Sequence, residues 1–160
     1  KNLFYHSWKP QGRSTAVELY IAPTEQTALA SGCYSIRINP IADGTFRLGV
    51  FVPNAAGNEW ESLTLTDKIR VGVKVNGKVQ TSADGTDRNA NEGYVIEIAI
   101  DKSLIGYRAD SFRFTAAFVQ MKEYDQNRMG NSFIAGTHYT KVSTWKVITN
   151  DGVEEEDSTV

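Results

Sequence analysis

The chain has 160 residues, a formal net charge of −2, 41% hydrophobic residues and 22% charged residues. This length suits one domain with a sizeable core, and the charge gives no basic field that would favour nucleic acid or an anionic membrane as partner. No apolar run approaches the roughly 18 residues of a membrane-spanning helix. We expect one domain over residues 1–150, followed by an acidic tail or linker over residues 151–160. Because Lys1 is not a natural start and no signal peptide is visible, we expect the chain to belong to a longer protein.

Strand signals dominate the chain. Alternating apolar and polar residues predict strands near 2–8, 16–22, 33–39, 45–52, 69–75, 78–82, 93–100, 112–123 and 141–148. Asp43-Gly44 and Asn76-Gly77 are hairpin signals. A short helix is predicted over residues 24–30 and a single helical turn over residues 101–106. Many short antiparallel strands with loops of modest length favour an all-β antiparallel sandwich, like a jelly roll.

The second and third predicted strands each carry one apolar and one polar face. Glu18 on one strand, and Arg37 and Asn39 on the next, alternate with apolar neighbours. Gln120, in the middle of a late strand, is predicted to share this face. A mid-sheet amide needs hydrogen-bond partners, which a ligand can supply. Such a face suits a ligand rich in hydroxyl groups. A solvated face with an ordinary ion pair is the alternative, as is a cross-strand hydrogen bond for Gln120.

Three tryptophans could stack on the apolar face of a sugar ring. Trp8 and Trp60 have polar neighbours and are expected to be the more exposed, and Trp145 precedes a lysine within the last predicted strand. Packing in the core or at its rim is the alternative for each of them. The single Cys33 excludes an internal disulfide and is expected to be a small buried residue instead of a nucleophile.

A loop near residue 90 alternates oxygen-bearing side chains. Asp87, Asn89 and Asn91 have the spacing of calcium-binding loops. The glycine that follows comes one position later than in an EF-hand, and the bidentate glutamate is not in place. Structural calcium at these three residues is therefore a weak hypothesis, and no other cofactor is indicated.

No catalytic motif is visible, so we expect the chain not to be an enzyme. There is no nucleophile elbow, phosphate loop or dinucleotide fingerprint, and His6 and His138 do not have metal-ligand spacing. Glu18 and Glu97 could in principle form a glycosidase pair. However, Glu97 has apolar neighbours on its strand, which favours a structural charge pair.

Four segments together resemble family 9 carbohydrate-binding modules and the wider DOMON-like group. They are residues 16–23, 34–39, 92–100 and 116–127, and the resemblance covers roughly residues 5–148. It implies a β-sandwich without catalytic activity, in which two tryptophans clamp a sugar, often at a chain end. It also implies structural calcium, which is usual in the family.

The resemblance assigns a carbohydrate-binding role to individual residues. Trp8 is similar to the aromatic before the second strand, Glu18 to its hydrogen-bonding carboxylate, Arg37 and Asn39 to an Arg-x-Asn pair, Gln120 to a late amide, and Trp145, by order alone, to the second clamp tryptophan. Two departures weaken the match. Strands that precede Trp8 in the family are either lacking here or precede Lys1, and residues 11–14 lengthen the segment before Glu18.

These observations predict a non-catalytic carbohydrate-binding module of a larger secreted or cell-surface protein of bacterial type. Its expected partners are a glycan and the other domains of its parent chain, and its expected location is extracellular. Two alternatives stay open. One is a structural or adhesive sandwich that binds a protein. The other is a DOMON-like haem-binding domain that uses a methionine and a histidine, with candidates Met121, Met129, His6 and His138.

Overall fold

The computed structural model describes residues 3–5, 14–64, 67–81, 93–104, 110–121, 128–133, 138–149 and 154–155. Its strands are β1 (Leu3–Phe4), β2 (Ala16–Pro23), β3 (Tyr34–Ala42), β4 (Thr45–Pro53), β5 (Trp60–Leu63), β6 (Ile69–Asn76), β7 (Val79–Gln80), β8 (Gly93–Ile100), β9 (Ser111–Met121), β10 (Arg128–Phe133), β11 (Lys146–Thr149) and β12 (Glu154–Glu155). The described helical segments are two 3-10 turns, Lys102–Leu104 and Val142–Thr144. The predicted all-β antiparallel class is confirmed. Within the described residues, no helix is long and apolar enough to cross a bilayer.

Eight strands form one large antiparallel sheet. Its order is β12-β11-β9-β2-β3-β4-β5, and β10 pairs with β9 beside β11. The strands β2 and β3 lie in the middle of this large sheet and supply both the core and the candidate site. Part of the predicted acidic tail joins the sheet as well, because Glu154 and Glu155 pair with β11.

A second sheet packs on one face of the large sheet. It consists of β6 and β8, which pair along their full lengths from Ile69–Ile100 to Asn76–Gly93. The core between the sheets contains aliphatic residues of both. Its buried members are Ile21, Ile36, Ile38, Val50, Ile69, Val73, Val75 and Val79. The sandwich thus obtains its main apolar core from one face of β2 and β3.

The opposite face of β2 and β3 is covered by irregular segments. Residues 24–33 and 138–145 supply the cover, and their side chains pack on Tyr20 and Ala117. Cys33 is fully buried there, as predicted, and its burial raises the pKa of the thiol. A thiol in this state is a poor nucleophile.

Two local predictions are wrong. Residues 24–30 form turns instead of a helix, because Gln26 N–H closes a single turn on Pro23 O (3.1 Å) and the Thr24 hydroxyl bonds to the Ser111 hydroxyl (2.6 Å). Asn76-Gly77 does not close a hairpin between β6 and β7. Instead, β6 pairs with β8 along its full length, and β7 pairs in parallel with β1.

Other local predictions are confirmed or need new bounds. The Asp43-Gly44 hairpin is confirmed, with Gly44 at φ +68°. The helical turn near residue 101 is a 3-10 turn, in which Asp101 Oδ1 accepts the Ser103 N–H (2.8 Å). The last predicted strand begins only at Lys146, after a 3-10 turn. The sequence patterns did not reveal β5 and β10.

Candidate functional site

A cleft lies on the face of the large sheet that is turned away from the second sheet. Its volume is about 270 Å³, close to the small end of the roughly 300–1,000 Å³ that small-molecule sites occupy. Its lining combines aromatic and hydrogen-bonding side chains. The lining residues are Glu18, Tyr20, Ser35, Arg37, Phe51, Trp60 and Tyr139.

An ion pair forms the floor of the cleft. Glu18 and Arg37 are direct cross-strand partners in β2 and β3, so their side chains leave the sheet on the same face. Arg37 Nη2 lies 2.7 Å from Glu18 Oε1, and the Tyr20 hydroxyl donates to Glu18 Oε2 (2.6 Å). The Glu18 side chain is only 1% exposed and that of Arg37 is 20% exposed. These partners offset part of the desolvation cost of burying the carboxylate.

Aromatic rings form the walls. Trp60 is the first residue of β5, and its ring centroid lies 5.7 Å from that of Tyr20. Tyr139 stacks on the other side of Tyr20 at 6.2 Å with an interplanar angle of 26°. Phe51 lies below the Arg37 guanidinium, with 5.3 Å between the guanidinium carbon and the ring centroid. This cation–π contact orients the guanidinium plane.

A tight turn places Trp60 at the cleft. The Asn54 side-chain oxygen accepts the Asn58 N–H (3.1 Å), and Asn54 N–H donates to Glu59 O (2.9 Å). Gly57 adopts φ +66°, and a Cβ at this position would lie 2.5 Å from Leu29 O. Glycine is therefore required twice over, by the left-handed backbone and by the close approach. This turn, which immediately precedes Trp60, therefore packs closely against the 24–33 segment.

A second turn places Tyr139. The His138 ring stacks on the Tyr139 ring at 4.1 Å, and the Thr140 N–H donates to His138 Nδ1 (3.2 Å). The Trp145 indole N–H donates to His138 O (3.2 Å), which ties this turn to the covered face of the sheet. Tyr139 is thus held on both sides, by His138 and by Tyr20.

Two buried donors of the cleft residues have no acceptor among the residues that the structure describes. Arg37 Nε and Trp60 Nε1 are inaccessible to solvent and make no hydrogen bond with any described residue. Buried donors are nearly always paired in folded proteins, and an orphan calls for a specific explanation. Both orphans belong to residues that line the same cleft.

The predicted polar platform is correct for three residues and wrong for Gln120. Asn39 shares the face of Glu18 and Arg37, but it is fully buried, donates to Thr15 O (3.0 Å) and does not line the cleft. In the β2–β9 register, Glu18 pairs with Ala117. Gln120 therefore lies on the opposite face of the large sheet, where it is exposed.

The prediction that Trp145 walls a sugar slot is also wrong. Trp145 is 1% exposed and packs against Tyr20 with 5.8 Å between the ring centroids. It follows directly after a 3-10 turn that directs the indole inwards. Trp145 packs beside Tyr20 and is too deeply buried to face a ligand.

Several candidates lie outside the described residues. They are Trp8, the calcium candidates Asp87, Asn89 and Asn91, and the haem candidate His6; nothing is described of the side chains of Met121 and Met129. Within the described part of the chain, no cluster of three or more histidine, cysteine or acidic residues could hold a metal ion.

The two carboxylates of the glycosidase alternative lie on different sheets. Glu18 belongs to the cleft, whereas Glu97 alternates with Ile96 and Ile98, which pack into the core, and points outwards from β8. The cleft therefore contains one carboxylate among its described lining residues.

A second depression of about 320 Å³ lies where the β3–β4 hairpin meets β7. None of its described lining residues is aromatic, and its carboxylate, Asp43, accepts the Val75 N–H (2.7 Å). This depression is slightly larger than the cleft, but it offers neither stacking rings nor orphaned donors.

Comparison with protein-family models, curated proteins and solved structures gave no match to this chain. The resemblance to family 9 modules and DOMON-like domains rests on the short motifs alone and stays a prediction.

Sequence reasoning missed two walls of the cleft. Trp60 was named as one of three tryptophans that could stack on a sugar but was not assigned to the site, because β5 is short and its middle residues are polar. Tyr139 lies in a turn, where neither the two-residue period of a strand nor the 3.6-residue period of a helix applies. The aromatic pair His138-Tyr139, close in sequence to Trp145, was the available signal for a packed, functional turn.

Proposed function

We propose that the chain is a non-catalytic carbohydrate-binding module of a larger secreted or cell-surface protein, and that the cleft on β2, β3 and β5 is its glycan site. The observation that carries this proposal is the pairing of two orphaned buried donors, Arg37 Nε and Trp60 Nε1, with aromatic walls in one cleft. A sugar residue presents acceptor oxygens and an apolar C–H face together, so it satisfies both features at once.

The binding mode follows from the chemistry of the lining. The C–H face of the sugar stacks on Trp60 or Tyr139, which removes apolar area from water on both partners. The sugar hydroxyls accept hydrogen bonds from Arg37, whose planar fork suits adjacent oxygens. Glu18, whose side chain is only 1% exposed, contributes by holding Arg37 in place. A volume of about 270 Å³ limits the deep part of the site to a small portion of a glycan.

The absence of catalysis is part of the proposal. Hydrolysis of a glycoside by the usual mechanism requires two carboxyl groups on either side of the scissile bond. Glu18 is engaged by Arg37 and Tyr20, and the described cleft contains no second carboxylate.

Calorimetric titration with a panel of neutral mono- and oligosaccharides tests the proposal. Stacking on an aromatic ring contributes on the order of 1–3 kcal/mol, so Trp60→Ala should weaken binding roughly tenfold to a hundredfold. Phe118→Ala is the matched control, because Phe118 is a 40% exposed aromatic on the opposite face of the large sheet. It should leave the affinity unchanged.

Trp8→Ala separates the resemblance from the cleft geometry. A loss of affinity in this variant would add Trp8 to the walls, as the resemblance implies. No heat with any sugar, or unchanged affinity in a folded Trp60→Ala variant, would contradict the proposal and favour a protein-binding sandwich.

A further inference from the structure

We propose that Glu18 makes the cleft selective for uncharged sugars and excludes uronic acids, an inference that rests on the proposed glycan site. Glu18 is then a residue that determines specificity as well as a hydrogen-bond acceptor. The selection operates through the charge balance of the cleft floor.

The charges that line the cleft cancel. Glu18 and Arg37 are the charged residues among its described lining residues, and they form one ion pair at 2.7 Å. Glu18 cannot turn away from the site, because Arg37 binds one carboxylate oxygen and the Tyr20 hydroxyl binds the other. Its negative charge is therefore fixed in the floor of the cleft.

An acidic sugar would meet this fixed charge. The donors of Arg37 that do not face Glu18 would attract a ligand carboxylate, since guanidinium groups bind carboxylates with two parallel hydrogen bonds. However, two carboxylates would then share one guanidinium and leave a net negative charge in a partly buried cleft, where like charges repel more strongly than in water. The ligand carboxylate would also lose part of its hydration.

A neutral sugar avoids both penalties. Its oxygens accept hydrogen bonds from Arg37 and Trp60 without adding charge. A hydroxymethyl group adds no charge and can donate as well as accept, whereas an ionised carboxylate has no hydrogen to donate. The same three side chains therefore favour a hydroxymethyl group and disfavour a carboxylate at the equivalent ligand position.

Matched ligand pairs test this inference by NMR titration. The probes are methyl glucoside against methyl glucuronide, and methyl galactoside against methyl galacturonide, each pair differing only at C6. We expect the neutral sugar of a pair to bind at least tenfold more tightly than the acid. Glu18→Gln should reduce this preference at least tenfold or reverse it. Glu61→Gln is the control, because Glu61 is an exposed carboxylate in β5 that does not line the cleft, and it should leave the preference intact.

The methyl esters of the two uronides keep the test decisive if Glu18→Gln does not fold. Esterification removes the ligand charge, so the esters should regain at least tenfold in affinity over the acids in the wild-type protein. Equal binding of neutral sugar and acid, or esters no better than acids, would overturn the inference and leave the glycan site standing. No binding of any of these sugars would overturn the inference and the proposed function together.

Discussion

The two faces of β2 and β3 have the same backbone but different partners. On one face, Ile36 and Ile38 are fully buried against the second sheet. On the other, Ser35 and Arg37 meet irregular segments that cover the sheet incompletely and leave the cleft. A regular sheet can pack along the full length of another sheet, whereas turns pack at separate points.

This difference separates stability from binding within two strands. The apolar face gains its stability from close packing, which does not depend on a ligand. The polar face buries an ion pair whose desolvation offsets much of the Coulomb attraction, and it contains two buried donors, Arg37 Nε and Trp60 Nε1, that have no acceptor among the described residues. Substitutions on the apolar face should therefore change the free energy of unfolding alone, whereas substitutions on the polar face should also change the sugar affinity.

Arg37→Met on the polar face should have the largest effect. Removing one partner of a buried pair leaves Glu18 buried without its counter-charge, which should lower the free energy of unfolding by about 3–5 kcal/mol. Sugar binding should be lost as well. Urea unfolding measures the first effect and calorimetry the second. Arg70→Met, at an exposed position of β6, is the control and should change stability by less than about 0.5 kcal/mol.

Ile36→Ala on the apolar face should cost stability alone. A buried isoleucine replaced by alanine loses about 2–5 kcal/mol, and Ile36→Val about 0.5–1.5 kcal/mol. Below the unfolding transition, the sugar affinity of both variants should match that of the wild type. A large loss of affinity in folded Ile36→Val would show that the two faces are not separable.

Gly57→Ala should have a smaller effect that reaches the site through Trp60. The left-handed backbone and the collision of a Cβ with Leu29 O together should lower the free energy of unfolding by about 2–3 kcal/mol. They should also weaken sugar binding by displacing the turn. Gly44→Ala shares the positive φ but has open space around it, so it should cost only about 1 kcal/mol. Equal effects of both substitutions on affinity would show that the turn does not position Trp60.

The fold was largely predictable because its strands alternate and its turns are short. Val17, Leu19 and Ile21 share one face of β2 by their period of two, and this apolar face is turned towards the second sheet. The hairpin at Asp43-Gly44 fixed the pairing of β3 with β4. The Asn76-Gly77 signal failed because a turn motif indicates only that the chain changes direction. It does not determine the partner of β6, which is β8, a strand that follows later in the sequence.

The candidate site was predictable only where neighbouring strands supply it. Glu18 and Arg37 could be placed together because β2 and β3 are adjacent along the chain. Gln120 could not, because the register between β2 and β9 is set across many intervening residues. A register that differs by one residue moves every side chain to the other face. Trp60 and Tyr139 depend on turns, for which the sequence contains no periodic signal.

The most direct test of the glycan cleft is an NMR titration that follows side-chain N–H signals as neutral sugar is added. The glycan site predicts that the Trp60 indole N–H and the Arg37 Nε–H shift together with one dissociation constant. The Trp145 indole N–H, which is buried and bonded to His138 O, should stay in place and serves as an internal reference. Sugar binding that moves other signals while Trp60 and Arg37 remain unchanged would contradict the central claim, as would the lack of any shift.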